Sequence, residues 1–209
     1  AETRAALAAM TDVDSIVVDP HKHGLQPYGC GCVLFKDPSV GTLYKHDSPY
    51  TYFSSGDLHL GEITLECSRA GASAVALWAT HQLLPPVQGG EFANGLDASL
   101  RAARALWNNL DGSAAYTPLC VPELDIVVYA VNAATASESS RRARNIFDAA
   151  ARQELHLALI ELPVEFVRHY APQLEADSDF VTCLRSTLMK PEHEEWLGQI
   201  TALLEASAG

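Results

Sequence analysis

The sequence has few basic residues and no long hydrophobic run, and both absences narrow the possible functions. Its 14 Lys and Arg residues stand against 26 Asp and Glu residues, so that the formal net charge is -12. Nucleic acids and anionic membranes are bound by basic faces, and this balance argues against both as partners. No apolar segment approaches the roughly 18 residues that a membrane-spanning helix needs. The composition therefore indicates a soluble globular protein.

Cysteine is also sparse, and the few cysteines do not form a recognisable framework. The five cysteines are an odd number and, apart from Cys30 and Cys32, they are widely separated in the sequence. Such a set favours reduced thiols in the cytoplasm over disulfide bonds, and the first residues show no signal-peptide pattern. His21 and His23 lie near the two neighbouring cysteines, but their spacing fits no common zinc motif. We therefore expect a cytoplasmic protein without a metal site.

The apolar residues predict a mixed α/β fold with enough residues for a substantial core. Helices are predicted over residues 1–10, 66–84, 91–110 and 137–154 and from Pro191 onward. Strands are predicted over residues 16–18, 31–36, 125–131, 157–161, 164–167 and 180–188, and a loop over 43–56. The helix over 66–84 is apolar nearly all round, which predicts a buried helix. Ser137 is predicted to be the N-cap of the helix that it precedes.

The segment over residues 12–25 combines a short strand, a lysine and a turn. Residues 16–18 are three consecutive β-branched residues, which predicts a strand buried on both faces. Pro20 ends the strand, and Gly24 allows the backbone to turn away. Lys22 is thereby placed just past the end of a strand, where open α/β sheets bind small molecules. Burial at that place would favour its neutral, nucleophilic amine.

The sequence around this lysine resembles a known cofactor-binding segment. Residues 19–25 are Asp-Pro-His-Lys-His-Gly-Leu, and residues 27–35 are Pro-Tyr-Gly-Cys-Gly-Cys-Val-Leu-Phe. They resemble the lysine segment of the group II pyridoxal-phosphate-dependent amino acid decarboxylases, such as the glutamate, aromatic amino acid, tyrosine and cysteine sulfinate decarboxylases. Sphingosine-phosphate lyase is a relative of this family. The resemblance implies that Lys22 forms the internal Schiff base with pyridoxal phosphate (PLP) and that His21 lies against the cofactor near its phosphate.

Two further segments resemble the same family. Residues 66–72 are similar to its Ser-Arg element, which implies that Ser68 reaches a cofactor phosphate; a hydroxyl beside a helix N-terminus suits that role. Residues 182–189 are similar to its last strand, which implies that Arg185 binds the substrate α-carboxylate through the planar fork of its guanidinium. The alternatives stay open that Ser68 is a simple helix cap and that Arg185 faces solvent.

In this family a mobile loop after the lysine carries a tyrosine that assists proton transfer. Tyr50 and Tyr52 lie in the predicted loop, and we take Tyr52 as the candidate catalytic residue. Aromatic side chains in this loop equally suit packing, so this alternative also stays open.

The resemblance further implies the fold, which is the carboxy-terminal part of a fold type I PLP-dependent enzyme. Residues 1–112 would be the remainder of the PLP-binding large domain with a bridging helix, and residues 113–209 the small C-terminal α/β domain. Family members carry further cofactor contacts upstream of the lysine, in a region that this sequence lacks. We therefore expect a carboxy-terminal fragment that needs the amino-terminal half of the same enzyme and acts within a homodimer of the complete unit.

The implied reaction is the PLP-dependent decarboxylation of an L-amino acid to its amine and carbon dioxide. The sequence leaves the substrate side chain open, although aromatic residues in the loop over 43–56 slightly favour an aromatic substrate. Two other functions remain possible on the same residues. One is a carbon–carbon lyase of the sphingosine-phosphate lyase type, and the other is a non-catalytic remnant.

Overall fold

The computed structural model describes residues 2–45, 60–63 and 70–209. Contacts along the chain divide it into two units, Ala1–Pro86 and Val87–Gly209. The long helix over residues 91–111 packs within the second unit, against strands and a helix that follow it. The assignment of residues 1–112 and 113–209 to the two domains of a complete enzyme remains a prediction.

The first unit contains three α-helices, two 3₁₀ helices and two short strands among its described residues. In chain order they are α1 (Glu2–Ala8), a 3₁₀ helix (Ala9–Asp12), β1 (Ser15–Val18), β2 (Cys32–Phe35), a second 3₁₀ helix (Pro38–Tyr44), α2 (Leu60–Ile63) and α3 (Ala70–Leu83). The helix, strand, strand and helix predicted over residues 1–10, 16–18, 31–36 and 66–84 are confirmed where the structure describes them.

Strands β1 and β2 form an antiparallel ribbon in which Val18 lies opposite Cys32. The prediction that β1 is buried on both faces is wrong for this chain, because Val17 is 70% exposed and Val18 is exposed as well. Among the described residues β1 pairs with no strand other than β2. A ribbon of two strands has no second layer, so the β-branched side chains that predicted burial remain uncovered.

Helix α3 is present where the sequence predicted it, but it is not buried all round. Its half-buried positions include Ser73, Leu77 and Thr80, which lie along one stripe at helical spacing. The opposite side is open, and Trp78 is 64% exposed. The apolar composition of α3 therefore predicts burial on every side, whereas the described part of the first unit covers only one side of the helix.

The second unit contains four helices and a four-stranded sheet. In chain order they are α4 (Glu91–Asp111), β3 (Tyr116–Pro118), β4 (Ile126–Val131), α5 (Ala136–Ala151), β5 (Ala158–Pro163), α6 (Val164–Tyr170), β6 (Phe180–Thr187) and α7 (His193–Ala208). All neighbouring strands are antiparallel, and their order in the sheet is β3-β4-β6-β5. Helices α4, α5 and α7 and strands β4, β5 and β6 confirm the corresponding predictions.

The two faces of this sheet are covered differently. Leu184 of β6 belongs to a large apolar cluster with Leu106 of α4, Ile146 of α5 and Leu204 of α7. On the other face, Cys183 belongs to a smaller cluster to which α6 contributes. The first face is therefore closed by three helices. The second is covered by the short helix α6, the start of α5 and the segments that contain Leu119 and Leu174. No helix in the described parts of the chain is both long and apolar enough to span a bilayer.

Residues 164–167, predicted as a strand, instead begin helix α6. Val164 and Val167 are three residues apart and both are buried in the smaller apolar cluster. Their spacing places both side chains on one face of a helix. The sequence was misleading because β-branched residues favour strands, and tertiary packing decided otherwise.

The N-cap of helix α5 is Thr135 and not Ser137. The Thr135 hydroxyl accepts a hydrogen bond from the backbone N–H of Glu138 over 3.3 Å. The backbone N–H of Ser137 donates to Asp177 Oδ1 over 2.8 Å, and this bond lowers the pKa of Asp177. Two side chains therefore share the unpaired N–H groups of this helix end.

Candidate active site

The chain between β1 and β2 forms a tight turn that carries Lys22. The backbone N–H of Lys22 donates to the carbonyl of Asp19 over 3.0 Å, and the N–H of Gln26 donates to the carbonyl of Pro20 over 3.1 Å. These two bonds close the turn on both sides of the lysine. These local bonds therefore place Lys22 just past the end of β1.

Two residues give this turn its unusual shape. A Cβ atom at Gly24 would lie 2.6 Å from the carbonyl oxygen of Pro20, which is too close for any side chain. Leu25 follows in the left-handed region, with φ of 58°. Glycine is thus required at position 24 by the close approach of two backbone segments. The sequence suggested a glycine here for a different reason, the freedom of the backbone to turn.

Lys22 is exposed in this chain, and its amine forms an ion pair. Its side chain is 61% exposed, and its Nζ donates to Asp19 Oδ2 over 2.6 Å. This hydrogen bond and the charge of Lys22 lower the pKa of Asp19. The expectation of a buried amine is therefore wrong for this chain. The physical reason is that β1, which should have carried the lysine into an interior, is itself uncovered.

His21 lies beside the lysine and packs against an aromatic ring. Its ring stacks on that of Tyr28, with a centroid distance of 5.1 Å and an interplanar angle of 25°. Its Nδ1 atom is buried and has no hydrogen-bond partner among the described residues. The structure thus places His21 and Lys22 in one turn, with an imidazole nitrogen still able to bond.

Arg185 belongs to the second unit, where it lies at the centre of the sheet. On β6 it is flanked by Val128 of β4 and Ala158 of β5. The alternation along β6 places its side chain on the face of Cys183, which is the face that helix α6 covers only in part. Leu184, on the opposite face, is closed in by helices.

The guanidinium of Arg185 keeps hydrogen-bonding capacity. The residue is half-buried, and its Nε is buried without a partner among the described residues. A buried N–H without an acceptor is unfavourable, so a bound anion or an acceptor from another segment would stabilise it. This setting differs from that of a strand arginine that simply faces solvent, and it suits a carboxylate.

The remaining predicted site residues, Ser68, Tyr50 and Tyr52, lie outside the described residues. Among the residues that the structure describes, no group of three or more His, Cys, Asp or Glu side chains is arranged to hold a metal ion.

The sequence did not reveal two residues that support the lysine turn. Gln26 is buried next to the turn and bonds to Thr80 of α3, and Tyr28 stacks on His21. A single polar residue or aromatic in a turn follows no period, so no pattern in one sequence could have singled them out.

Comparisons with known proteins relate the chain to amino acid decarboxylases. It is 34% identical over 106 residues to an L-tyrosine decarboxylase of Enterococcus faecium, which covers 49% of this chain and 17% of that protein. It is 36% identical over 86 residues to an L-tyrosine decarboxylase of Levilactobacillus brevis, covering 40% and 14%. The matches thus span less than a fifth of these relatives. No family model matches the chain.

Solved structures match nearly the whole chain. The Lactobacillus brevis glutamate decarboxylase aligns with a TM-score of 0.72 at 15% identity, over 96% of this chain and 41% of that one. Oryza sativa TDC with PLP and tryptamine aligns with a TM-score of 0.69 at 15% identity, over 99% and 41%. At such identity the likeness concerns the fold alone.

The fold is that of the carboxy-terminal part of the PLP-dependent decarboxylase structures. Within that class, the sequence matches and the lysine turn agree with the predicted resemblance. The chain is related to the group II PLP-dependent amino acid decarboxylases, of which it matches only a part.

Proposed function

We propose that this chain supplies the cofactor lysine and a substrate arginine of a PLP-dependent decarboxylase, which converts an L-amino acid to its amine and carbon dioxide. The observation that carries the proposal is the Lys22 turn, in which Gly24 and the Pro20 carbonyl fix the lysine directly after a strand. Its sequence is the segment that most closely resembles the family. Residues 1–112 would then be the remainder of the large domain, and residues 113–209 the small domain.

The residues of the lysine turn fit the cofactor. Lys22 offers an accessible primary amine for a covalent bond to the cofactor aldehyde. His21 offers an imidazole nitrogen beside it, suited to contact with the phosphate or ring. Ser68 would reach a phosphate and Tyr52 would assist proton transfer, as the resemblance implies. When bound, PLP supplies the electron sink that accepts the electron pair left behind by the departing carbon dioxide.

Arg185 would bind the α-carboxylate of the substrate. Its guanidinium lies on the less covered face of the sheet with an unpartnered Nε. Two parallel hydrogen bonds from a planar fork fix the direction of a carboxylate. Arg185 would thereby orient the substrate through its carboxylate, the group that leaves as carbon dioxide.

The substrate we propose is an aromatic L-amino acid, with L-tyrosine as the first to test. Several sequence relatives are called L-tyrosine decarboxylase. Others are called probable L-tyrosine/L-aspartate decarboxylase or aspartate 1-decarboxylase. L-Aspartate is therefore the second substrate to test.

The partner we propose is the amino-terminal half of the same enzyme, within a homodimer. Val17 of β1, Leu43 and Trp78 of α3 are large apolar side chains of the first unit, and all three are strongly exposed. We take these exposed apolar side chains as part of the surface that the amino-terminal half would cover. Further strands and helices would bury β1 and α3, which would restore the environment that their sequences predict.

A cytoplasmic location fits the state of the thiols. Cys30, Cys32, Cys120 and Cys183 are all free. Burial raises the pKa of the Cys183 thiol to about 12, so that it stays protonated. Reduced cysteines are typical of proteins in the cytoplasm.

A carbon–carbon lyase acting on an amino alcohol phosphate is the second candidate. The structure of the Burkholderia pseudomallei sphingosine-1-phosphate lyase aligns with a TM-score of 0.62 over 93% of this chain, at 16% identity. That likeness concerns the fold, whereas the sequence relatives are named decarboxylases. A non-catalytic remnant is the third reading of the same residues.

The test combines the chain with its amino-terminal counterpart, PLP and L-tyrosine or L-aspartate. We expect carbon dioxide release and a borohydride-reducible bond between PLP and Lys22, both lost in Lys22→Ala. Arg185→Lys should keep the bond to PLP and lower kcat/KM by about ten- to a hundred-fold, the effect of one lost bond to a charged group.

Arg144→Lys is the matched control, because Arg144 donates to Thr182 of the same strand over 2.8 Å without carrying a proposed role. It should behave as the wild type. Cleavage of an amino alcohol phosphate without carbon dioxide release would favour the lyase. A protein that stays colourless with PLP and its counterpart would indicate the remnant.

A further inference from the structure

Gln26 is a buried amide at the end of the lysine turn. The residue is 8% exposed, and its Nε2 lies 2.7 Å from Thr80 Oγ1, 3.2 Å from the carbonyl of Gly24 and 3.3 Å from that of Leu25. One N–H therefore bonds to helix α3, and the other is shared between two carbonyls of the turn. A single side chain thus joins the turn to the helix.

The direction of these bonds is determined by Thr80. Its hydroxyl donates its one proton to the carbonyl of Ala76 over 3.0 Å, within α3. The same hydroxyl must then accept from Gln26, which places the amide nitrogen and not the amide oxygen against it. The amide nitrogen of Gln26 thus donates to Thr80 and to the two turn carbonyls at once.

The carbonyls that Gln26 holds belong to the least favourable part of the turn. Leu25 has φ of 58°, a region that residues with a side chain rarely occupy. Gly24 lies against Pro20 so closely that no Cβ fits. Backbone in such a conformation persists where its surroundings hold it. Other links between this segment and α3 are longer, such as that from Ser73 Oγ to the carbonyl of Gly29 at 3.5 Å.

We infer that Gln26 is a positioning residue for Lys22, which holds the lysine turn in the shape that presents the amine to the cofactor and ties it to α3. The inference rests on the proposed function, since it needs Lys22 to be the amine that reacts. Gln26 acts through the turn and does not itself contact the cofactor. Replacing Gln26 should therefore lower the reaction of Lys22 with PLP and leave the reaction of the other lysines unchanged.

The chain contains four lysines, at positions 22, 36, 45 and 190. The effect of a substitution can therefore be expressed as the share of the total label that Lys22 carries. The assembled protein, with its amino-terminal counterpart, is treated with PLP and borohydride, and the label on each lysine is measured by peptide mass spectrometry. The variants are Gln26→Glu, which removes the donors at nearly constant shape, and Thr80→Val, which removes only the link to α3. Thr80→Ser restores the hydroxyl.

We expect Lys22 to carry most of the label in the wild type. Its share should fall by about five-fold in Thr80→Val, the effect of one lost hydrogen bond, and recover in Thr80→Ser. It should fall further in Gln26→Glu, which loses every N–H donor of the amide. Gln153→Glu is the control, because Gln153 also donates to a carbonyl and a hydroxyl but is exposed in the second unit. It should match the wild type.

The outcomes separate the two proposals. A wild type without preference for Lys22 would overturn the proposed function. Preference for Lys22 that survives both Gln26→Glu and Thr80→Val would overturn the positioning role alone. Equal changes at all four lysines would also overturn it, since they would indicate a general loss of structure.

Discussion

The ammonium of Lys22 and the carboxylate of Asp19 lie 2.6 Å apart, within one turn of the chain. The pair keeps the amine directed back toward the end of β1. A covalent bond to an aldehyde requires this amine to leave the carboxylate. In this chain, Asp19 therefore competes with the reaction that we propose for Lys22.

Replacing the carboxylate should release the amine. We expect Asp19→Asn to speed the labelling of Lys22 in this chain by PLP and borohydride about two- to five-fold, because exposed ion pairs are weak. Asp37→Asn is the control. Asp37 is also a carboxylate whose pKa is lowered by a hydrogen bond, but the bond comes from the backbone N–H of Ser39 and not from a lysine. An equal gain in both variants, or no gain in Asp19→Asn, would show that the ion pair does not restrain Lys22.

The close approach of Gly24 to Pro20 predicts a position-specific effect of a single methyl group. Gly24→Ala would place Cβ 2.6 Å from the Pro20 carbonyl oxygen, so the turn must change shape. We expect a loss of about 1–3 kcal/mol in the free energy of unfolding, as for other overpacked sites. Urea unfolding of the chain measures it.

Gly31→Ala is the matched control for this prediction. A Cβ at Gly31 would meet no atom within 4 Å, and its φ is not in the left-handed region. The substitution should be neutral or slightly stabilising, because it restricts the unfolded chain. Equal losses at both glycines would mean that the contact with Pro20 does not determine the requirement for glycine.

The sequence correctly predicted secondary structure that depends on neighbouring residues along the chain. It failed to predict burial and packing, which depend on segments distant in the sequence. The β-branched run at residues 16–18 correctly predicted strand β1, and the helix predicted over residues 66–84 is confirmed by α3 over its described part. The predicted burial of both elements was wrong, because the segments that would cover them cannot be identified from the periodicity of their own sequences. The prediction of a strand at Val164 and Val167 failed for a related reason. Packing against the sheet overrode the strand preference of β-branched residues.

The candidate site divides in the same way. Lys22 and Arg185 were predicted as site residues from segments that resemble the family, and this role remains a prediction. The structure places one after a strand and the other on a central strand. Gln26 and Tyr28 support the lysine turn through contacts that no motif encodes. The roles of such supporting residues depend on the geometry around the site. That geometry is visible only in the folded chain and not in the pattern of a single sequence.

A buried hydroxyl pair beside Arg185 should contribute measurably to stability. Tyr129 and Ser186 share a hydrogen bond of 2.9 Å in the interior of the sheet, and burial raises the pKa of Tyr129. Ser186→Ala leaves the tyrosine hydroxyl unpaired, and we expect it to lower the free energy of unfolding by about 1–3 kcal/mol. Urea unfolding provides the measurement.

A double-mutant cycle tests this prediction. Adding Tyr129→Phe to Ser186→Ala removes both polar groups, so the double variant should lose less than the sum of the single variants. Additive losses would contradict a direct interaction. Ser99→Ala is the control, because Ser99 is buried but donates to the carbonyl of Gly95 within its own helix, where alanine is well tolerated.

The ion pair between α4 and α7 should give the second unit a stability that depends on pH. Arg101 donates from Nε and Nη2 to the two carboxylate oxygens of Glu194, over 2.7 and 2.9 Å. These bonds lower the pKa of Glu194 below its ordinary value of 4.5. A group with a lowered pKa in the folded state stabilises the fold above its ordinary pKa, and this contribution is lost as the pH falls through the lowered value.

Arg101→Met should therefore lower the urea midpoint at neutral pH, by a small amount because both side chains are partly exposed. The difference from the wild type should shrink in acid, as Glu194 becomes protonated, and also in high salt. Arg104→Met on the same helix is the control, since Arg104 is exposed and the described residues show no ion pair for it. A difference that persisted in acid would mean that the Arg101 methylenes stabilise the contact by packing, and that the charges do not.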